Sequence, residues 1–288
     1  MQTAITLEML RNETSALRGE SGRATIGLVP TMGALHDGHL TLVRRAKEIC
    51  DHVVASIFVN PTQFGPNEDL DAYPRQLELD SAMLKEAGCA LLWAPQVDAM
   101  YPDGFASSIS VSGVSEGFCG GDRPGHFDGV ATVVCKLFNQ VQPTHAFFGE
   151  KDYQQLAVIR AMARDLDLTA PHVAQIIGVP TVREDDGLAM SSRNRYLSSS
   201  DRANAATLPR AMKAAIADIE GGADVAETLA NLKAELIAAG FASVDYAELA
   251  DASSLAVIDT LTQRPARLLV AARIGGTRLI DNMAVNAD

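Results

Sequence analysis

The chain has 288 residues, of which 47% are hydrophobic and 21% are charged, and its formal net charge at pH 7 is −12. This length is comfortable for two domains, and the composition is that of a globular protein with ample material for a buried core, which argues against disorder. The negative charge argues against a broad surface for nucleic acids, whose backbone is also negative, although a local pocket for a small anion is compatible with it.

The cysteines and the N-terminal segment indicate the cellular compartment in which the protein is expected. The four cysteines are widely spaced and form no CxxC pair, so they indicate neither a zinc knuckle nor a thioredoxin-like motif. Free thiols are typical of a reducing compartment. The N-terminus has acidic residues where a signal peptide needs an unbroken apolar segment, and no apolar run approaches the roughly 18 residues of a membrane span. We therefore expect a cytoplasmic protein that binds neither membrane nor nucleic acid.

Residues 1–180 alternate short β-branched runs with amphipathic stretches. A strand at 25–30, a helix from about His39 and a strand at 52–60 predict a βαβ unit. The same alternation continues with strands at 90–95, 145–149 and 172–180, and with helices at 69–88, 129–141 and 152–167. The pattern predicts an α/β domain, residues 1–180, in which helices cover both faces of a parallel sheet.

The sequence pattern changes beyond Pro180. A turn-rich stretch, REDDGLAMSSRNRYLSSSD, precedes two Ala-rich helices predicted at 201–218 and 224–239. Three strands are predicted at 243–249, 266–274 and 277–285, with the pair Gly275-Gly276 in a hairpin turn. Residues 181–288 are therefore expected to form a smaller α+β domain.

The segment TMGALHDGHL, residues 31–40, is the clearest candidate for a binding site. A strand, a glycine-containing loop and a helix N-terminus together bind anions, because the first backbone N–H groups of a helix lack partners within it. The segment matches neither the dinucleotide fingerprint nor the P-loop. His36 and His39, with Gly38 between them, can donate to negative charge that develops on a phosphate. The alternatives are a zinc site, which needs a third ligand, and two solvated loop histidines.

Four further clusters carry polar side chains. Lys151 and Asp152 in FFGEKDYQQL can bind or order a phosphate, and GLAMSSRN suits a mobile phosphate-binding loop; a solvated helix start and a polar linker are the respective alternatives. Asn60 and Gln63 carry neutral amides that recognise hydroxyl and carboxylate groups, and the polar stretch after them, up to Arg75, is compatible with a lid. The fourth cluster, RPGHFDG at 123–129, is at least as compatible with a structural role.

Taken together, the stretches PTMGALHDGH, FVNPTQFGPNEDLDAYPR, RPGHFDGVATVV, FGEKDYQQL, GLAMSSRNRYLS and TRLIDNM resemble the pantoate:β-alanine ligase family in order along the chain. The resemblance implies ATP-dependent condensation of (R)-pantoate with β-alanine through a pantoyl adenylate, giving pantothenate, AMP and diphosphate. It also implies a requirement for Mg²⁺, a Rossmann-like first domain, a smaller lid domain and a homodimer. Asp128 occupies a position that varies in the family, and no carried-over motif residue is missing.

The resemblance also implies a set of site residues, with His39 as the principal catalytic histidine. His36, Lys151, Ser191, Ser192 and Arg193 would share the charge of phosphoryl transfer. Pantoate and β-alanine would contact Asn60, Gln63 and Gln155. Mg²⁺ would be held mainly by the ATP phosphates, and its protein ligands are not specified. The implied ATP site comprises Met32, Gly33, Ala34, Leu35, His36, Asp37, Gly38, His39, Gly149, Glu150, Lys151, Asp152, Val182, Met190, Ser191, Ser192 and Arg193.

Three other functions are weighed against this one. A nucleotidylyltransferase that leaves AMP on its product would use the same HxGH pattern. An aminoacyl-tRNA synthetase would have a lysine-rich loop where this chain has AMSSRN. A nucleotide-binding regulator without catalysis is disfavoured by the presence of His39, Lys151 and Arg193. Release of free AMP only when an amine is supplied distinguishes the ligase from the nucleotidylyltransferase, and substrate-dependent AMP formation distinguishes it from the regulator.

Overall fold

The computed structural model describes residues 1–65, 68 and 70–286, and divides the chain into two compact units. The first unit comprises residues 1–115, 119–150 and 155–180. The second comprises residues 116–118, 151–154 and 181–288. The sequence interpretation used a single boundary at residue 180, whereas two short earlier segments group with the second unit.

The first unit is built on a six-stranded, fully parallel sheet with the strand order β1-β4-β3-β2-β5-β6. This sheet confirms the predicted α/β class. Its strands are β1 (Gln2–Ala4), β2 (Ile26–Thr31), β3 (His52–Ile57), β4 (Leu91–Trp93), β5 (His145–Gly149) and β6 (Ile176–Val179). The helices in this part of the chain are α1 (Leu7–Arg18), α2 (Asp37–Ile49), α3 (Leu77–Glu86), α4 (Val97–Met100), α5 (Phe118–Asp122), α6 (His126–Val141) and α7 (Tyr153–Asp165).

Strand β2 lies at the centre of the sheet and is buried on both faces. Its residues 26–29 are all buried, as expected for a parallel strand that helices cover on both sides. On one face, Val29 belongs to the same apolar cluster as Leu42, Val43 and Ala46 of α2. This packing fixes the position of α2, and with it the helix N-terminus that carries the histidines.

The strand order reverses direction at β2, which pairs with β3 on one side and β5 on the other. In open parallel sheets the ligand crevice lies at such a reversal, outside the carboxyl ends of the strands. The segments that leave the sheet there are residues 32–36 after β2 and residues that follow Gly149 after β5. The topology therefore places the segment between β2 and the start of α2, residues 32–39, at one wall of the candidate site; we call it the histidine segment.

Several element boundaries differ from the sequence expectations. Strand β1 was not predicted, because a three-residue strand is too short to show periodicity. The twelve-residue helix α1 was not predicted either. Helix α3 begins at Leu77 and not at residue 69, since Pro74 disfavours helical geometry just before it; residue 69 itself lies outside the described residues. Helix α2 begins at Asp37, two residues before His39.

The second unit contains a three-stranded antiparallel sheet with one face packed on helices. The inward residues Leu268, Val270 and Ala272 alternate along its central strand and share an apolar core with the helices. The strands are β7 (Ser243–Asp251), β8 (Ala266–Ile274) and β9 (Thr277–Val285), and the helices are α8 (Ser199–Ala205), α9 (Thr207–Glu220) and α10 (Val225–Ala238).

The prediction of one helix over 201–218 was wrong, because the structure has two helices that meet at Ala206. Pro209 explains the break. Proline has no backbone N–H to donate to the carbonyl of Ala205, so a continuous helix would lose that bond, whereas proline is tolerated in the first turn of a new helix. No helix in the described part of the chain is long and apolar enough to cross a membrane.

Gly129 in α6 lets the helix approach the segment after β3. A Cβ atom at this position would lie 2.4 Å from the carbonyl oxygen of Thr62 and 2.8 Å from the backbone nitrogen of Gln63. Both contacts are with backbone, so a flexible side chain cannot move aside to relieve them. Gly121 in α5, by contrast, has no atom within 4 Å of an added Cβ.

We expect Gly129→Ala to lower the free energy of unfolding by about 1–3 kcal/mol, the usual cost of overpacking. Gly121→Ala is the matched control and should be neutral or slightly stabilising, since alanine loses less conformational entropy than glycine in a helix. Urea denaturation of both variants measures the difference. Equal stability of the two variants would show that α6 and the Thr62 segment are not in the close contact described.

Candidate active site

The segment between β2 and α2 is held by a buried carboxylate. Asp80 on α3 is 1% exposed, and its two oxygens accept hydrogen bonds from the backbone N–H groups of Ala34 at 2.9 Å and Leu35 at 3.0 Å. The side-chain amide of Gln76 donates to the same carboxylate at 3.1 Å. Ala34 has φ of +52°, an uncommon backbone conformation for alanine, so these bonds hold the chain in a turn it would not adopt alone.

The two predicted histidines lie at the start of α2. His36 is the N-cap residue, and its backbone N–H donates to Nδ1 of His39 at 3.4 Å. The two ring centroids are 4.1 Å apart. Because Nδ1 of His39 accepts this hydrogen bond, the neutral imidazole carries its proton on Nε2. His39 therefore presents an N–H donor in the first turn of a helix whose N-terminus has a partial positive charge.

The remaining predicted residues of this segment differ in exposure. Gly33, Ala34 and Leu35 are buried, whereas Gly38 is half-buried. The exposed carboxylate of Asp37 pairs with Arg44 at 2.9 Å.

The segment after β3 contacts the histidine segment through Gln63. Its side-chain nitrogen lies 2.9 Å from the sulfur of Met32, so the predicted pantoate and ATP residues meet here. Asn60 is buried and its amide nitrogen donates both to Oε1 of Gln63 and to the carbonyl of Gly129, each at 3.1 Å. The predicted residues Asn60, Gln63 and Met32 thus form one connected cluster.

Arg123 and His126 hold the backbone of the same segment. The carbonyl of Gln63 accepts from Nη2 of Arg123 at 3.3 Å and lies 2.8 Å from Nδ1 of His126. Arg123 also forms a two-pronged ion pair with Glu68, both bonds being 2.6 Å long. Burial favours the neutral form of Glu68, but the bonds and charge of Arg123 outweigh it and hold the pKa of this carboxyl below its ordinary value. These contacts support a structural role for RPGHFDG.

Strand β5 ends at Gly149, at the same edge of the sheet as the histidine segment. An added Cβ at Gly149 would have no atom within 4 Å, so the space next to this backbone is open. Glu150 follows and is half-buried. Gln155 is half-buried on α7, and no other described residue forms a hydrogen bond with its amide.

In the second unit, Lys151 is attached to strand β9. The amide of Asn282 donates to the carbonyl of Lys151 at 2.8 Å. The ammonium group of Lys151 is 3.6 Å from a carboxylate oxygen of Asp152, an exposed residue. Gln154 lies nearby in sequence and donates to the carbonyl of Glu116 at 3.1 Å, which explains why residues 116–118 group with 151–154.

The predicted loop residues from Val182 to Arg193 form one folded segment. The N–H of Met190 donates to the carbonyl of Val182 at 3.0 Å. Ser191 caps a short turn, Ser192–Tyr196, because its hydroxyl accepts from the N–H of Arg193 at 3.3 Å. All of the predicted ATP residues in this segment, Val182, Met190, Ser191, Ser192 and Arg193, are half-buried.

An ion pair between the half-buried Arg183 and the buried Asp281 holds this segment to β9. Arg183 donates two bonds to Asp281, at 2.7 and 2.9 Å, and Asp281 is 2% exposed. A third bond, at 3.0 Å, runs from Arg183 to the carbonyl of Gly187. Asp281 and Asn282 are therefore neighbours on β9 that hold two different predicted segments. Sequence reasoning did not assign them a role, although both lie in the motif TRLIDNM.

Comparison with known proteins identifies the family of this chain. The pantoate-beta-alanine ligase family model matches residues 2–284. The chain belongs to the pantoate-beta-alanine ligase family. A pantothenate synthetase of Novosphingobium aromaticivorans is 68% identical over 285 residues, which cover 99% of this chain and 99% of that protein. The predicted family is confirmed, and with it the prediction that the chain is an enzyme of the ligase class.

Solved ligase structures agree with the fold. The crystal structure of pantothenate synthetase from Thermus thermophilus has a TM-score of 0.91 and 48% identity, covering 99% of this chain and 100% of that chain. The ligase from Francisella tularensis, solved in complex with beta-gamma ATP and beta-alanine, has a TM-score of 0.79 and 34% identity over 98% of this chain and 97% of that one. The family fold thus extends over both compact units.

We expect Asp80→Ala to lower the free energy of unfolding by about 2–6 kcal/mol, because it leaves the buried N–H groups of Ala34 and Leu35 without an acceptor, at about 1–3 kcal/mol each. Glu78→Ala on the same helix removes an exposed carboxylate and serves as the control. Urea denaturation monitored by circular dichroism measures both. An Asp80→Ala variant as stable as Glu78→Ala would contradict the assigned role of this carboxylate.

Proposed function

We propose that the chain catalyses the ATP-dependent condensation of (R)-pantoate with β-alanine, forming pantothenate, AMP and diphosphate. The observation that carries this proposal is the match of the ligase family over residues 2–284. The ligand complex of the Francisella tularensis ligase supports ATP and β-alanine as substrates. The geometry around His39 supports chemistry at a phosphate, because a helix N-terminus and a ring N–H occur together at the crevice edge of the sheet.

In the first proposed step, a carboxylate oxygen of pantoate attacks the α-phosphorus of ATP and the bond to diphosphate breaks. Negative charge grows on the α-phosphoryl oxygens and on the departing diphosphate. His39 donates from Nε2, and His36, Lys151, Ser191, Ser192 and Arg193 supply further donors and positive charge. The ATP-binding set is the one predicted from Met32–His39, Gly149–Asp152, Val182 and Met190–Arg193.

In the second proposed step, the amine of β-alanine attacks the acyl carbon of the adenylate, AMP leaves, and the nitrogen loses a proton. No covalent bond to the protein forms in either step. The protein chiefly aligns the reactants, which contributes up to about 7–11 kcal/mol in favourable cases. Asn60, Gln63 and Gln155 are proposed to bind pantoate and β-alanine through neutral amides, whose burial costs less than that of a charge.

Mg²⁺ is proposed to enter with ATP, held mainly by the phosphates. No group of three or more His, Cys, Asp or Glu side chains among the described residues is arranged to hold a metal ion. Magnesium commonly binds through substrate phosphates with only one or two protein carboxylates, so a complete protein site is not required. When bound, the ion neutralises phosphate charge.

The assembly and compartment are also proposals. Family resemblance supports a homodimer. All four cysteines, Cys50, Cys89, Cys119 and Cys135, are free thiols, and these support a reducing cytoplasm as the site of the reaction.

We expect enzyme, ATP, Mg²⁺ and pantoate to exchange labelled diphosphate into ATP without β-alanine, because the adenylate forms first. Addition of β-alanine should then release pantothenate and free AMP in equal amounts, measured by chromatography. Omission of pantoate is the control and should abolish both signals. A product that retains AMP after amine is added would instead identify a nucleotidylyltransferase.

We expect His39→Ala to lower the rate of diphosphate exchange roughly 100-fold or more, since it removes one preorganised donor to the phosphoryl transition state. His52→Ala is the control, because His52 begins β3 at the opposite, amino-terminal edge of the sheet. Both variants should keep the wild-type circular dichroism spectrum. Single-turnover formation of the adenylate at a near-normal rate in His39→Ala would exclude His39 from this role.

A further inference from the structure

The side-chain amide of Asn60 can adopt only one orientation. Its oxygen accepts from the backbone N–H of Thr62 at 3.3 Å, and its nitrogen donates to the backbone carbonyl of Gly129 at 3.1 Å. A backbone N–H can only donate and a backbone carbonyl can only accept, so exchanging the amide oxygen and nitrogen would break both bonds. The orientation of Asn60 is thus fixed by the main chain on both sides.

This orientation fixes that of Gln63 in turn. The second hydrogen on the Asn60 nitrogen points to the Gln63 side chain, 3.1 Å away, so the atom that meets it must be the Gln63 oxygen. The Gln63 nitrogen is therefore turned away from Asn60 and towards the sulfur of Met32, at 2.9 Å. Sulfur is a weak acceptor, and an oxygen atom of a ligand is a better partner for this N–H₂ group.

Tyr101 reinforces the chain of bonds at its far end. Its phenol donates to the Asn60 oxygen at 2.7 Å, the shortest bond to that atom, and lies 3.3 Å from the hydroxyl of Thr62. The ring packs between Phe58 and Phe105, with centroid distances of 6.2 and 5.1 Å. Burial raises the pKa of Tyr101 above its ordinary value, so the phenol stays protonated and can donate at neutral pH.

We infer that Tyr101 is a positioning residue for pantoate: its bond to the Asn60 oxygen steadies the amide that the main chain orients, and Asn60 in turn holds Gln63 with its N–H₂ group, and not its oxygen, towards the substrate. The inference rests on the proposed role of Gln63 in pantoate binding. It adds a chemical rule, because a Gln63 held in this way pairs with an acceptor oxygen of the substrate, such as a carboxylate or hydroxyl oxygen. A group that can only donate at this position, such as an ammonium, is rejected.

The test is Tyr101→Phe, which keeps the ring and removes the donor. We expect the dissociation constant of (R)-pantoate to rise roughly 3- to 10-fold, the range of one neutral hydrogen bond. It is measured by calorimetry in the presence of an ATP analogue that cannot be cleaved between the α- and β-phosphates. Affinity for the analogue itself should change less than twofold. Phe105→Leu, which alters the packing of Tyr101 but leaves its hydroxyl, is the control.

A double-mutant cycle separates positioning from general loosening of the structure. If Tyr101 acts through Gln63, Tyr101→Phe should weaken pantoate binding in the wild-type background and have no further effect in a Gln63→Ala background. In steady-state kinetics, the KM for pantoate should rise in Tyr101→Phe while kcat changes less than twofold. Additive effects of the two substitutions, or equal losses for pantoate and the ATP analogue, would overturn the inference.

Calorimetry also distinguishes this inference from the proposed reaction, because it does not require turnover. Weakened pantoate binding in Tyr101→Phe together with no pantothenate formation by the wild type would support the inference and overturn the proposed reaction. Pantothenate formation by the wild type, together with unchanged pantoate affinity in Tyr101→Phe, would support the proposed reaction and overturn the inference. Absence of pantoate binding by the wild type would overturn both.

Discussion

The carboxylate of Asp80 controls the backbone on which the histidine site is built. The turn after β2 contains two consecutive buried N–H groups, at Ala34 and Leu35, that cannot pair within the sheet or within α2. Asp80 accepts both of them, and a charged acceptor forms stronger bonds than a neutral one. This turn sets the direction of the backbone at His36, and His36 is the N-cap residue from which α2 begins. A single carboxylate from α3 thereby sets where His39 stands relative to the crevice.

Most strands and helices of the fold could be predicted from periodicity, whereas the residues that hold the candidate site in place could not. The predicted limits of β5, β8 and β9 agree with the structure because a glycine or proline marks at least one end of each strand. The role of Asp80 was not predicted, because its partners are 45 and 46 residues earlier in the chain. One local signal was available: Asp80 stands four residues before Leu84, so it lies on the buried face of its helix. A charge at such a position needs a partner.

The clusters of polar residues were visible in the sequence, but their bonding was not. Asn60 and Gln63 were recognised as amides suited to a polar ligand. Which atom of the Asn60 amide bonds to which partner within the protein depends on Gly129 and Tyr101, which come from distant parts of the chain. Sequence spacing gives the kind of group near a site, and only the three-dimensional partners decide whether an amide offers its oxygen or its nitrogen.

Because side chains alternate along β9, the hairpin turn before this strand determines which segments its side chains contact. Successive residues of a strand point to opposite faces, so Asp281 and Asn282 reach different segments only in the observed pairing with Val270 and Leu269. A slip of one residue between β8 and β9 would turn each of them to the wrong face. The two-residue turn at Gly275 and Gly276, with φ of +54° and +76°, specifies that pairing. An insertion in this turn would therefore misplace Lys151 and the Val182–Arg193 segment together, without touching either.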